Sequence, residues 1–169
     1  ASVRFDLVGE GKFGAADLVA GLEGRAARVT GTLIYRDGRT LIEVPADGIE
    51  VIEAEPQALP AGEPGTTLTV RGEIVDSKCF GGVMNPGQGK PHKACAIRCL
   101  SGGIPPVLVT PARDGLEAYL LVGPTGGPLG GAILEFVAEP VEVSGEVTDH
   151  DGVAVLAIDP TGIRRLDGD

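Results

Sequence analysis

RVTGTLIYRDG (residues 28–38) and EVSGEVTDHDG (residues 142–152) lie 114 residues apart and share a Val-x-Gly step followed by Asp-Gly at matching positions. Extending this offset outward aligns residues 5–52 with residues 119–166 without a gap, with nine identities in 48 positions. The identities fall at points of structural consequence. Leu7, Val8 and Gly9 match Leu121, Val122 and Gly123, and Gly48-Ile49 matches Gly162-Ile163. Self-similarity at a fixed offset is the signature of a duplicated structural unit. Composition alone, in a chain with 27 glycines, would scatter such matches rather than place them at strand ends and turns.

Each copy predicts the same order of elements: a strand, a short helix, a longer strand, an Asp-Gly hairpin, a return strand and a short last strand. In the first copy these are residues 3–9, 15–22, 27–35, 40–44 and 49–54. In the second they are residues 117–122, a helical turn over 130–137, then 140–148, 153–158 and 163–166. That order is the later part of a five-stranded OB-like barrel. The second copy is preceded by two more predicted strands, residues 67–76 and 107–110, which complete a barrel; the first has none. The expectation is therefore an all-β protein. An OB-like five-stranded barrel carrying a Cys/His loop–helix insertion follows a related N-terminal β half-module. The expected divisions are residues 1–56 for the half-module, a Pro- and Gly-rich linker at 57–66, and the barrel at 67–169 with its insertion at 77–103.

The bulk properties are permissive rather than directive. At 169 residues the chain suits one domain or two small ones. With 4% aromatic residues and no Trp, its core must be aliphatic. A net charge of −10 argues against nucleic acid as a partner. No apolar run approaches the roughly 18 residues that span a membrane. The chain begins at Ala1 and enters a strand-like run directly, which suggests a processed or trimmed N-terminus.

Against that acidic background, residues 75–103 (VDSKCFGGVMNPGQGKPHKACAIRCLSGG) stand apart. They contain all three cysteines, Cys79, Cys95 and Cys99, together with His92 and the single Met84. Between residues 77 and 113 there is no Asp or Glu, while Lys78, Lys90, Lys93, Arg98 and Arg113 give a local charge of +5. A helix over residues 91–100 fits Pro91 at its first position and Gly102-Gly103 beyond its end. On it His92, Cys95 and Cys99 fall at i, i+3 and i+7, on one face. Cys79, from the end of the preceding strand, would complete a Cys3His set. Thiolates with an imidazole suit Zn, copper or an iron–sulfur cluster rather than Mg or Ca. The basic residues would offset thiolate charge, and Met84 offers copper a further soft ligand. Two alternatives stand beside this: a disulfide from Cys79 to Cys95 or Cys99 that staples the insertion, and a reactive thiol. No acid/base pair, Ser-His-Asp set or phosphate-binding loop is present, so a non-enzymatic role is expected.

The runs GEIVDSKC (residues 72–79), HKACAIRC (92–99), GGIPPVLV (102–109) and VEVSGEV (141–147) resemble a family of uncharacterised exported bacterial OB-like domains marked by a D-S-K-C…H-x-x-C-x-x-x-C motif. The resemblance covers about residues 67–166 and leaves the first copy outside it. It implies an extracytoplasmic, periplasmic domain, often membrane-tethered, and no established activity. The expectation is a metal- or redox-centre protein with Cys79, His92, Cys95 and Cys99 as ligands. It would act in electron transfer or metal handling as an accessory subunit of a membrane complex.

Overall fold

A computed structural model describes residues 3–36, 39–56 and 65–166. The first copy contains β1 (Asp6–Gly9), α1 (Ala16–Val19), β2 (Ala27–Val29), β3 (Thr32–Arg36), β4 (Arg39–Val44) and β5 (Ile49–Val51). Next come β6 (Thr66–Asp76), the cysteine insertion with helix α2 (Lys93–Ser101), β7 (Pro106–Ala112) and β8 (Gly115–Val122). A 3-10 segment (Gly130–Phe136), β9 (Pro140–His150), β10 (Val153–Ile158) and β11 (Arg164–Arg165) complete the chain. Most of the expected linker, residues 57–64, and the Asp37-Gly38 turn lie outside the described residues. Thr66, expected in the linker, begins β6. Among the described residues no helix is long and apolar enough to cross a membrane.

β6 to β10 form a closed barrel. β6 pairs antiparallel with β7 and with β9, β7 with β8, and β9 with β10. The parallel pair of β8 and β10 closes the ring. This is OB topology: all-β, with a short helical segment between the third and fourth strands. Inward residues alternate along the strands, so Ile74, Leu108, Leu121, Val143 and Leu156 meet in one aliphatic core. Ile133 and Val137 close one end of it. The Asp151-Gly152 turn has both residues at positive φ, 55° and 88°, as a two-residue hairpin turn requires.

The first copy repeats the second pair by pair. Leu7 faces Ile42 in the parallel β1–β4 pair, as Leu121 faces Leu156. Arg36 faces Arg39, as His150 faces Val153, and Ala27 faces Val51, as Val141 faces Arg165. The shared Val-x-Gly step also has its reason here. A side chain at Gly31 would overlap the Glu43 carbonyl oxygen, and one at Gly145 would overlap that of Ala157, its equivalent. At this crossing the single strand expected over residues 27–35 breaks into β2 and β3 around Thr30-Gly31. One detail is inverted between the copies. Arg28 of β2 pairs with Glu50 of β5 at 2.7 Å, whereas Glu142 of β9 pairs with Arg164 of β11.

The half-module lacks counterparts of β6 and β7, so its concave side would be open. The cysteine insertion fills it. Val8 and Leu41, both fully buried, pack with Cys79, Cys99 and Ile104, with Ile34 and Cys95 at the margin. Phe80 covers the outer faces of Val75, Val107 and Val109. Burying residues such as Leu41 contributes about 1.5–3 kcal/mol each. The insertion is thus the hydrophobic centre between the two copies rather than an appended loop.

Candidate metal centre

β6 ends at Asp76, and the chain turns at once. Ser77 and Lys78 start a helical turn that becomes the wide turn Cys79–Val83, where Gly82 at φ 143° lets the backbone reverse. Cys79 therefore sits one turn beyond the strand rather than at its end. After the intervening loop, a short 3-10 segment (Lys90–His92) leads into α2. His92 occupies the N-cap of α2 instead of its face, so the i, i+3, i+7 reading holds only for Cys95 and Cys99, one turn apart. The helix stops as expected: Gly102 and Gly103 donate to the carbonyls of Arg98 and Leu100, both at 3.0 Å.

These elements bring all four sequence-predicted residues together. The Cys79 sulfur lies 3.9 Å from that of Cys95 and 4.0 Å from that of Cys99. Ligand atoms of Cys79, His92 and Cys95 all lie within 4.8 Å of one another. All three cysteines are free thiols. Cys79, Cys99 and His92 are buried, and Cys95 is partly exposed. The site therefore has a buried floor and one sulfur towards solvent.

Two residues that sequence reasoning did not assign organise the cluster. Asp76 is fully buried and spends both carboxylate oxygens on it. Oδ1 accepts the Cys79 backbone N–H at 2.8 Å, and Oδ2 lies 2.9 Å from His92 Nε2. A buried carboxylate needs such partners. In return it orients the imidazole, one nitrogen of which lies within 4.8 Å of the Cys79 and Cys95 sulfurs. Asp76 also lies within 4.8 Å of Cys79 and Cys99 and has the chemistry of a ligand itself, but its two hydrogen bonds suit an orienting role better. The signal was present in the sequence: Asp76 is the lone acid of residues 75–103. Ser77 shares the turn, and its buried hydroxyl has no partner among the described residues.

The second residue is Lys12, from the loop after β1. Its Nζ lies 2.8 Å from the Cys95 sulfur and 3.7 Å from that of Cys99. Two of the basic residues expected to offset the thiolates are placed otherwise. Lys78 is buried against Glu43 and the carbonyls of Gly9 and Gly11, and Lys93 pairs with Glu139 at 2.5 Å. Met84 is 42% exposed, and its carbonyl oxygen accepts from Arg36.

The electrostatics are those of thiols sharing protons. The hydrogen bond between Cys79 and Cys99 pushes the Cys79 thiol well up, and burial adds to the shift. The same bond lowers Cys99 to about 7, against the opposing effect of burial and with help from Lys12. The hydrogen bond to Cys95 holds the Lys12 ammonium above its ordinary value. One thiolate is thus available near neutral pH even before an ion binds.

No protein-family model, curated protein or solved structure matches this chain.

Proposed function

We propose that Cys79, Cys95, Cys99 and His92 bind a single metal ion, and that the protein is a non-enzymatic metal-handling protein. The observation that carries this reading is the sulfur spacing. A tetrahedral ion with metal–sulfur bonds of about 2.3 Å separates its sulfurs by about 3.8 Å, close to the 3.9 and 4.0 Å between Cys79 and its two neighbours. A [4Fe–4S] cluster puts each cysteine on its own iron and a [2Fe–2S] cluster at most two on one iron, so the closeness of Cys79 to both other sulfurs favours one ion over a cluster. Cys3His is a common structural zinc set, and the Asp76–His92 contact is the usual support for a ligating imidazole. A disulfide would need sulfurs about 2.05 Å apart, and the three thiols are free.

The resemblance to exported domains supports an extracytoplasmic setting, and we propose that the protein serves there as an accessory subunit of a membrane complex. Bound metal would there protect three neighbouring thiols from oxidation. Elemental analysis of protein isolated from its native source, with counting of reactive thiols, tests the reading. The expected result is one equivalent of metal, lost in Cys95→Ser, and three thiols that react only after chelation. Metal-free protein with a single reactive thiol would replace this reading with the disulfide-stapled interaction module.

A further inference from the structure

Lys12 belongs to the half-module, yet it meets the sulfurs of the barrel's insertion. Its loop is held in place from several sides. The Gly9 N–H donates to the Phe13 carbonyl at 2.9 Å, which closes the turn. The Gly14 N–H donates to the Gly102 carbonyl at 2.9 Å. Lys78 Nζ donates to the carbonyls of Gly9 at 2.8 Å and Gly11 at 2.7 Å. Gly14 lies against Gly103 and Gly102 against Lys12, too closely for a side chain at either glycine. The turn itself does not call for a lysine. The equivalent turn in the second copy closes with the same bond, Gly123 N–H to the Gly127 carbonyl at 2.7 Å, and has Gly126 where Lys12 stands.

The charges give the lysine a purpose. Three thiolates, a neutral imidazole and a divalent ion sum to a formal charge of minus one, and the buried Asp76 carboxylate behind His92 makes it minus two. Negative charge on the buried sulfurs is costly, and the Lys12 ammonium, exposed itself but 2.8 Å from the partly exposed Cys95 sulfur, offsets part of it. A monovalent ion would leave a further negative charge beside the buried Asp76 carboxylate. We propose that Lys12 is a positioning residue of the metal centre, offsetting the charge of its thiolates, so that the N-terminal half-module is part of the centre. This rests on the metal reading above. Lys12 makes no bond to the ion; it stabilises the sulfurs that do.

The full chain and its K12M, K12Q and K12R variants are loaded with Zn(II) and titrated against a chelator, with Co(II) as the spectroscopic probe. The expected result is a 10- to 100-fold loss of zinc affinity in K12M and K12Q. The sulfur-to-cobalt charge-transfer band moves to longer wavelength, because a sulfur that loses a hydrogen bond gives up its electrons more readily. K12R recovers most of both properties. K12Q keeps a polar donor on a side chain one atom shorter and K12R a charged donor on one an atom longer, so a loss in K12Q that K12R recovers, with unchanged circular dichroism spectra, assigns the effect to the charge even if K12M folds poorly. Wild-type affinity and an unshifted band in K12Q would overturn the inference while leaving the metal centre intact. Failure of the wild-type chain to bind stoichiometric zinc would overturn the metal reading and this inference with it.

Discussion

Lys78 donates through Nζ to the Gly9 carbonyl oxygen at 2.8 Å, from the cysteine insertion into the first copy of the repeat. The same ammonium reaches Gly11 and pairs with Glu43, so a lysine next to Cys79 in sequence holds the loop that delivers Lys12. Replacing Lys78 with Met removes the donor and leaves two carbonyls and a carboxylate without their partner. Loss of one member of a buried pair costs about 3 kcal/mol. Urea unfolding of K78M should show a loss of that order, together with weaker zinc binding although Lys78 is not a ligand.

Asp76 carries a second prediction. D76N keeps the shape but exchanges a carboxylate for an amide, which accepts from only one of the two groups at a time. If His92 is a ligand oriented by Asp76, zinc affinity should fall 10- to 100-fold. His92→Ala combined with D76N should then add little to either change alone, because both act through one imidazole. Additive losses in such a double-mutant cycle would separate Asp76 from His92.

The thiols give a pH dependence in metal-free protein. Cys99 is lowered to about 7 from an ordinary 9.0. A folded-state value below the unfolded one contributes stability that is present above the unfolded value and lost as pH falls through the folded value. Stability of the metal-free chain should therefore rise from about pH 7 to about pH 9, the two values of Cys99. Thiolate ultraviolet absorbance should rise by one equivalent with a midpoint about pH 7. Cys99→Ser should remove both effects.

The crossing glycines supply a matched pair. G31A and G145A each force a side chain against a backbone carbonyl at equivalent positions. Each should cost about 1–3 kcal/mol, the usual range for overpacking, as a lower Tm. Only G31A presses on Glu43, the partner of Lys78. G31A should therefore also weaken zinc binding, and G145A should not.

Much of the fold was legible because duplication writes each constraint twice. Gly31 and Gly145 are demanded by the same close approach of strands, and Asp151-Gly152 by positive φ. The Cys/His cluster was legible from residue type and from the one-turn spacing of Cys95 and Cys99. His92 was placed in the right cluster for a partly wrong reason: it arrives at the helix N-cap and is aimed by Asp76, not by helical periodicity. Lys12 was invisible, since it lies 83 residues from Cys95 in an unremarkable turn. The lysines close in sequence to the cysteines were misleading for the same reason. Sequence proximity does not report which carboxylate or carbonyl a long side chain will reach, and Lys78 and Lys93 found Glu43 and Glu139.

The inverted ion pairs bear on how a chain with two similar copies avoids mistaking one for the other. If β2 paired with β11, Arg28 would face Arg164; if β9 paired with β5, Glu142 would face Glu50. Like charges directly opposite destabilise a strand pair. Each copy's closing strand therefore repels the other copy's strand and accepts its own. While the chain is still unfolded, when both sets of strands are free at once, that polarity sorts them.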